Sequence, residues 1–60
     1  MSNYELLKKL IADLEHNIDD YTYEICQSNS DIERHNFKLI RFELTRWKRS
    51  LETMLLELED

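Results

Sequence analysis

Two runs of apolar residues, each spaced at alternating steps of three and four, constrain this chain more than any other feature. The first run consists of Tyr4, Leu7, Ile11, Leu14, Ile18, Tyr21 and Ile25. The second run consists of Phe37, Ile40, Leu44, Trp47, Leu51, Met54 and Leu58. Each run is a heptad seam, the pattern of helices that pack side by side. Because the two seams are out of phase, one straight helix cannot present both along a single line, and we expect a break between them.

The position of the break is indicated by helix start signals and by a polar stretch. The segments SNYE (2–5) and SDIE (30–33) both have the capping-box form, in which a serine hydroxyl accepts from the amide three residues on. Ser28 and Asn29 compete with helical hydrogen bonding, and Asn29 suits the left-handed conformation that often ends a helix. The absence of Gly and Pro favours helix elsewhere. The sequence therefore predicts a helix over 3–27, a turn over 28–30 and a helix over 31–58.

Folding the chain back about Asn29 brings the two seams into register. The layers then pair Tyr21 with Phe37, Ile18 with Ile40, Leu14 with Leu44, Ile11 with Trp47, Leu7 with Leu51 and Tyr4 with Met54. Each layer joins an a position to a d position, as antiparallel helices require. The predicted fold class is all-α, an antiparallel hairpin of two long helices. The alternative is one long rod in a parallel coiled coil, which would use Ile32, Leu39 and Phe42 to continue the first seam.

A two-helix hairpin buries only one stripe of each helix, so we expect it to need a partner. Ordering 60 residues at about 1.5 kcal/mol each costs more than one seam returns. The sequence leaves further apolar residues outside the seams: Leu6, Leu10, Ile32, Leu39, Phe42, Leu55 and Leu56. We expect two hairpins to form a homodimeric four-helix bundle, because two-fold association is the commonest kind. The remaining apolar face, centred on Leu39, Phe42 and Leu56, is the predicted docking surface for a protein partner.

The charges divide into blocks that the hairpin partly matches. The net charge of −5 argues against general binding of polyanions. Folding back about the turn brings Arg34 near Glu24, and Lys38 near Asp19 and Asp20, and such flanking pairs favour the antiparallel arrangement. The remaining basic residues gather toward the other end of the hairpin. The candidate nucleic-acid-binding residues are Lys8, Lys9, Arg46, Lys48 and Arg49.

The residue types that carry catalysis or bind metal do not occur in a suitable pattern. His16 and His35 are not spaced as metal ligands, and neither has a cysteine or second histidine nearby in sequence. Cys26 lies at a helix C-terminal end, where the helix dipole disfavours a thiolate. Ser28 and Ser30 are better explained as capping groups than as nucleophiles. We therefore expect no enzyme activity, no catalytic residue, no metal and no cofactor.

Cysteine content and hydropathy give an expectation about location. A lone cysteine suits a reducing compartment, and the first residues lack the long apolar core of a signal peptide. No apolar run approaches the length that spans a membrane. We expect a cytoplasmic protein that does not contact membranes.

In length and layout, the predicted hairpin resembles two groups of small helical proteins. These are the Rop-type RNA-modulating hairpins of plasmids, which pair into four-helix bundles, and the co-chaperones of type III secretion needle subunits. The resemblance is architectural, and no motif or functional residue carries over from it. The sequence predicts a noncatalytic protein-interaction or regulatory module that acts as a homodimer. The alternatives are a Rop-like RNA- or DNA-binding regulator, a secretion-type co-chaperone and a pure oligomerisation element.

Overall fold

The chain forms two long helices that pack against each other as an antiparallel hairpin. The computed structural model describes residues 2–59, in which α1 spans Asn3–Gln27 and α2 spans Asp31–Glu59. The hairpin measures 45 × 17 × 12 Å. The predicted all-α hairpin is confirmed, and the alternative of a single continuous rod is wrong because α2 folds back along α1.

Both helices begin at the serine caps that the sequence predicts. The Ser2 hydroxyl accepts from the Glu5 amide at 3.2 Å, and the Ser30 hydroxyl accepts from the Glu33 amide at 3.2 Å. Each cap satisfies one of the amides that the first turn of a helix leaves without an intrahelical partner. The helix bounds differ from the predicted 3–27 and 31–58 only at the C-terminal end of α2, which continues to Glu59.

The turn reverses the chain in three residues without a left-handed residue. Ser28 leaves α1 in an extended conformation, with φ −71° and ψ 136°. Its hydroxyl accepts from the Ser30 amide at 3.2 Å and donates to the Ser30 carbonyl at 3.3 Å, and the Arg34 guanidinium donates to the Ser28 carbonyl at 3.0 Å. No residue between 2 and 59 has a positive φ. The left-handed conformation expected at Asn29 is therefore wrong, because side chains satisfy the turn instead.

The core of the hairpin is small and aliphatic. The buried residues are Ile11, Leu14 and Leu51, which keep 6–8% of their surface exposed. The partly buried residues packed against them are Leu7, Leu44 and Leu55. Near the turn, the rings of Tyr21 and Phe37 pack with centroids 5.8 Å apart, as one predicted layer requires. The first seam therefore lies where the sequence predicts it from Leu7 to Ile25.

The second seam is only half correct, because α2 is rotated relative to the predicted packing. Phe37, Leu44 and Leu51 face α1, as expected. The predicted seam residues Ile40, Trp47, Met54 and Leu58 are all exposed, as is Tyr4 on α1. Their prediction as core is wrong. The half-buried positions next to Phe37, Leu44 and Leu51 are occupied instead by Arg41, Lys48 and Leu55. The aliphatic parts of these side chains can cover the core while the two charged groups remain outside.

Candidate functional site

One side of the hairpin is closed by polar bridges between the helices. Three side-chain contacts join Tyr4 to Glu59 (3.1 Å), Thr22 to Arg41 (3.1 Å) and Glu15 to Lys48 (3.3 Å). Because residues seven or eleven apart lie on the same side of a helix, these contacts lie along a single flank. The Lys8 ammonium also lies 5.3 Å from the centroid of the Tyr4 ring. We call this flank the polar side.

The opposite flank, which we call the side groove, is open. On α1 it consists of a row spaced at three and four, namely Leu6, Leu10, Asp13, Asn17, Asp20 and Glu24. On α2 it consists of Ile40, Glu43, Trp47, Met54, Glu57 and Leu58. Within the part of the chain that the structure describes, no side-chain hydrogen bond or ion pair crosses this flank from one helix to the other. The polar cross-links between the helices among residues 2–59 all lie on the other side.

The apolar members of the side groove are all exposed and share one flank of the hairpin. This row, the side stripe, consists of Leu6, Leu10, Ile40, Trp47, Met54 and Leu58, all of them exposed. Trp47 lies in the middle of α2 with 56% of its surface exposed. At the end near the termini, the stripe lines a shallow groove of about 410 Å³ formed by Asn3, Leu6, Leu7, Met54, Glu57 and Leu58. Several exposed apolar residues on one flank are typical of an interaction site.

Toward the turn, the side groove becomes polar. A second shallow depression, of about 310 Å³, is lined by Asn17, Asp20, Tyr21 and Glu24. Two of its four residues are carboxylates, and Tyr21 is the residue that also packs against Phe37. The groove is therefore apolar at its terminal end and acidic at its turn end.

The docking face predicted from the sequence is exposed but not contiguous. Leu39 and Phe42 lie one turn apart, whereas Leu56 follows Phe42 by fourteen residues, a rise of about 21 Å along the helix. Arg46 and Arg49 lie on the turns between them. The structure thus exposes all three predicted residues without bringing them into one patch, and their role in docking stays a prediction.

The predicted basic patch is partly neutralised. Lys48 is paired with Glu15 and keeps 25% of its side chain exposed, and Arg46 is paired with Glu43 at 3.3 Å. Lys8 interacts with the Tyr4 ring, while Lys9 and Arg49 are exposed. Cations engaged by carboxylates gain less from phosphate contacts. Nucleic-acid binding by these five residues stays a prediction, and their arrangement does not favour it.

The groups considered for chemistry lie at the surface. His16 Nε2 lies 3.7 Å from an Asp20 carboxylate oxygen, and both side chains are exposed, as is Cys26. Among residues 2–59, no three His, Cys, Asp or Glu side chains are grouped so that they could hold a metal ion. Neither described helix has the length and apolarity needed to cross a membrane.

Sequence reasoning missed the side stripe as a surface because it assigned four of the six members to the core. One pattern in the sequence could have indicated the observed rotation of α2. Basic residues recur every seven positions at Arg34, Arg41 and Lys48, and the same row continues to Leu55. Long basic side chains can flank an apolar core by extending their charged ends outward. The pairing of Lys48 with Glu15 is the contact that such an argument requires.

Comparison with known proteins adds no relative: no protein-family model, curated protein or solved structure matches this chain. The fold and the surface define the class of molecule by themselves. It is a small antiparallel helical hairpin, bridged by polar side chains on one flank and open along an apolar row on the other.

Proposed function

We propose that this hairpin is a noncatalytic protein-interaction module that docks a helical protein surface along the side stripe. The observation that carries the proposal is the set of six exposed apolar residues on one flank, from Leu6 and Leu10 to Trp47 and Met54. Single exposed apolar residues are common on any protein, whereas a row that follows one flank of a hairpin is not. The module therefore acts by binding, and its binding surface is the flank without polar bridges.

The spacing of the stripe favours a helical partner. Ile40, Trp47 and Met54 recur at intervals of seven, which is the repeat by which one helix presents side chains to another. The groove between α1 and α2 provides a second wall, to which Leu6 and Leu10 contribute at the terminal end. A third helix in such a groove would contact both helices at once.

The residue types of the stripe favour a protein partner. Tryptophan and methionine are enriched in protein interfaces, and tryptophan is among the residues whose truncation costs most binding energy. Trp47 occupies the centre of the α2 row, with an exposed apolar residue seven positions away on either side. We expect it to supply the largest single share of the apolar contact.

Capture from an extract of the native host tests this function with two matched double variants. Trp47→Ala with Met54→Ala shortens the side stripe, whereas Leu39→Ala with Phe42→Ala removes comparable apolar surface from another face of the same helix. All four residues are exposed, so we expect both variants to stay helical by circular dichroism. We expect the proteins retained by the unmodified chain to be retained by the Leu39/Phe42 variant and lost from the Trp47/Met54 variant.

Two outcomes of the capture experiment would contradict the proposal. Retention that survives the Trp47/Met54 change but fails with the Leu39/Phe42 change would place docking on the face predicted from the sequence. Retention that disappears after nuclease treatment would indicate that nucleic acid, not protein, is the bound species. Both arms are read by mass spectrometry of the retained material.

A further inference from the structure

All the charged residues of the side groove are acidic. Its charged members are Asp13, Asp20, Glu24, Glu43 and Glu57, which we call the acidic rim. On α2 the two rim residues alternate with the stripe, and on α1 the three rim residues follow Leu10 toward the turn, so the carboxylates lie beside the surface on which a partner would lie. A ligand that covers the stripe would therefore place its own flanks against carboxylates.

Some of the basic residues that could neutralise this rim are engaged elsewhere. Arg41 and Lys48 contact Thr22 and Glu15 on the polar side. Arg34 contacts Asp31 and the Ser28 carbonyl at the turn. Among residues 2–59, the acidic rim has one ion pair with a lysine or arginine, between Glu43 and Arg46 at 3.3 Å, and one contact with a histidine, between Asp20 and His16 at 3.7 Å. Since the whole chain carries a net charge of −5, the field over the side groove is negative.

We infer that the partner helix is basic: an amphipathic segment of another protein with apolar residues at heptad spacing and Lys or Arg on both flanks. This inference rests on the proposed function and specifies the chemistry of the partner. The stripe on α2 runs from Ile40 to Leu58, about 27 Å of helix, which corresponds to about five turns of partner helix. Opposite charges on the flanks select such a partner and speed its association.

A second copy of this chain fits the side groove less well. An antiparallel copy would lay the apolar terminal end, with Met54 and Leu58, on the acidic turn end, with Asp20 and Glu24. A parallel copy would lay the carboxylates of one chain against those of the other. The antiparallel arrangement covers carboxylates without supplying a cation, and the parallel arrangement brings like charges together. Both are unfavourable.

The test uses three synthetic peptides of about three heptads. They contain no Trp or Tyr, so the emission of Trp47 reports on their binding to the 60-residue chain. The first has leucine at a and d with lysine at e and g. The second replaces those lysines with glutamate, and the third has the composition of the first in a non-amphipathic order. We expect the lysine-flanked peptide alone to shift the Trp47 emission to shorter wavelength, with an affinity that falls as salt is added.

Charge-neutralising variants locate the effect on the chain. Asp20→Asn with Glu24→Gln removes two charges from the acidic rim, whereas Asp19→Asn with Glu52→Gln removes two from elsewhere. At low salt we expect the rim variant to bind the lysine-flanked peptide about fivefold more weakly, because exposed ion pairs contribute up to about 1 kcal/mol each. We expect the control variant to bind it as the unmodified chain does.

The outcomes separate the inference from the function on which it rests. Equal binding of the lysine- and glutamate-flanked peptides would overturn the basic partner and leave the apolar docking surface standing. Binding of the non-amphipathic peptide as tightly as the amphipathic one would overturn it too, since charge without a helical face would then suffice. Failure of every peptide to bind would overturn both proposals. A chain that self-associates so tightly that it excludes the lysine-flanked peptide would identify the second copy as the occupant.

Discussion

At the scale of single residues, Lys48 best shows how the interior of this hairpin is built. It lies between Leu44 and Leu51 along the face that packs on α1, and its ammonium reaches the Glu15 carboxylate at 3.3 Å. The ion pair itself contributes less than about 1 kcal/mol because Glu15 is half exposed. The greater contribution of Lys48 is that its aliphatic stem covers core surface. A charged residue can therefore occupy a half-buried position on the face of α2 that packs on α1.

Two leucines of α2 provide a matched test of where the core lies. Leu51→Ala removes a buried side chain and should lower the free energy of unfolding by about 2–5 kcal/mol. Leu39→Ala removes an exposed one and should change it by about 0.5 kcal/mol or less. Both substitutions make the same change in helix propensity within one helix, so the difference reports burial. Urea unfolding followed by circular dichroism measures both values.

The comparison has a clear contrary result. If Leu39→Ala were as damaging as Leu51→Ala, then Leu39 would be part of the packed interior and the rotation of α2 described above would be incorrect. A loss at Leu51 much smaller than the expected range would indicate that the aliphatic cluster with Ile11 and Leu14 contributes little to folding.

At the scale of helices, the sequence predicts the parts of the fold that depend on local interactions. The two serine caps and the three-residue turn follow from hydrogen bonds within a few residues of Ser2 and Ser30, and these are present. The seam of α1 is also predictable because Ile11 and Leu14 belong to an uninterrupted heptad run. Local signals and a single strong period suffice for these features.

The rotation of α2 about its own axis is less predictable because it depends on contacts between the helices. The apolar repeat of α2 extends over positions such as Trp47, which suggests burial there. The observed rotation places Arg41 and Lys48 toward α1. It becomes favourable only when Thr22 can accept a hydrogen bond from Arg41 and Glu15 can pair with Lys48. The side stripe is a consequence of this choice, so it too could not be obtained from the repeat alone.

A pair of lysine substitutions distinguishes the observed rotation of α2 from the rotation that the predicted seam implies. Ile40→Lys places a charge at an exposed position and should alter the free energy of unfolding by less than about 1 kcal/mol. Leu44→Lys places a charge beside the aliphatic core and should lower it by several times that amount, because the ammonium loses hydration without gaining a partner. Thermal unfolding at low protein concentration, where association between chains is minimal, measures both.

The opposite order of the two effects would support the seam predicted from the heptad repeat. Ile40 would then lie against Ile18 as in the predicted layer, and the side stripe would lose one of its members. Equal effects would indicate that α2 has no fixed rotation about its own axis.

At the scale of the whole molecule, the hairpin is asymmetric in a way that matters for assembly. One flank is joined by polar bridges, while the other exposes Trp47, Met54 and their neighbours beside carboxylates. With three buried apolar residues among residues 2–59, each still 6–8% exposed, the isolated hairpin has little core for its length. Covering the side stripe would add apolar burial that the isolated chain lacks, so binding and stability are coupled.

The homodimeric four-helix bundle predicted from the sequence leads to the last test, because the side stripe is an exposed apolar surface that a second chain could cover. Two chains of net charge −5 repel each other, and added salt screens that repulsion. We therefore expect self-association to be weak at low salt and to strengthen as salt is raised, the reverse of the trend expected for a basic partner. The melting temperature should then depend on protein concentration only at high salt, and this dependence should vanish in the Trp47→Ala, Met54→Ala variant. Tight pairing at low salt that persists in this variant would place the contact between chains on another face and leave the side stripe to other partners.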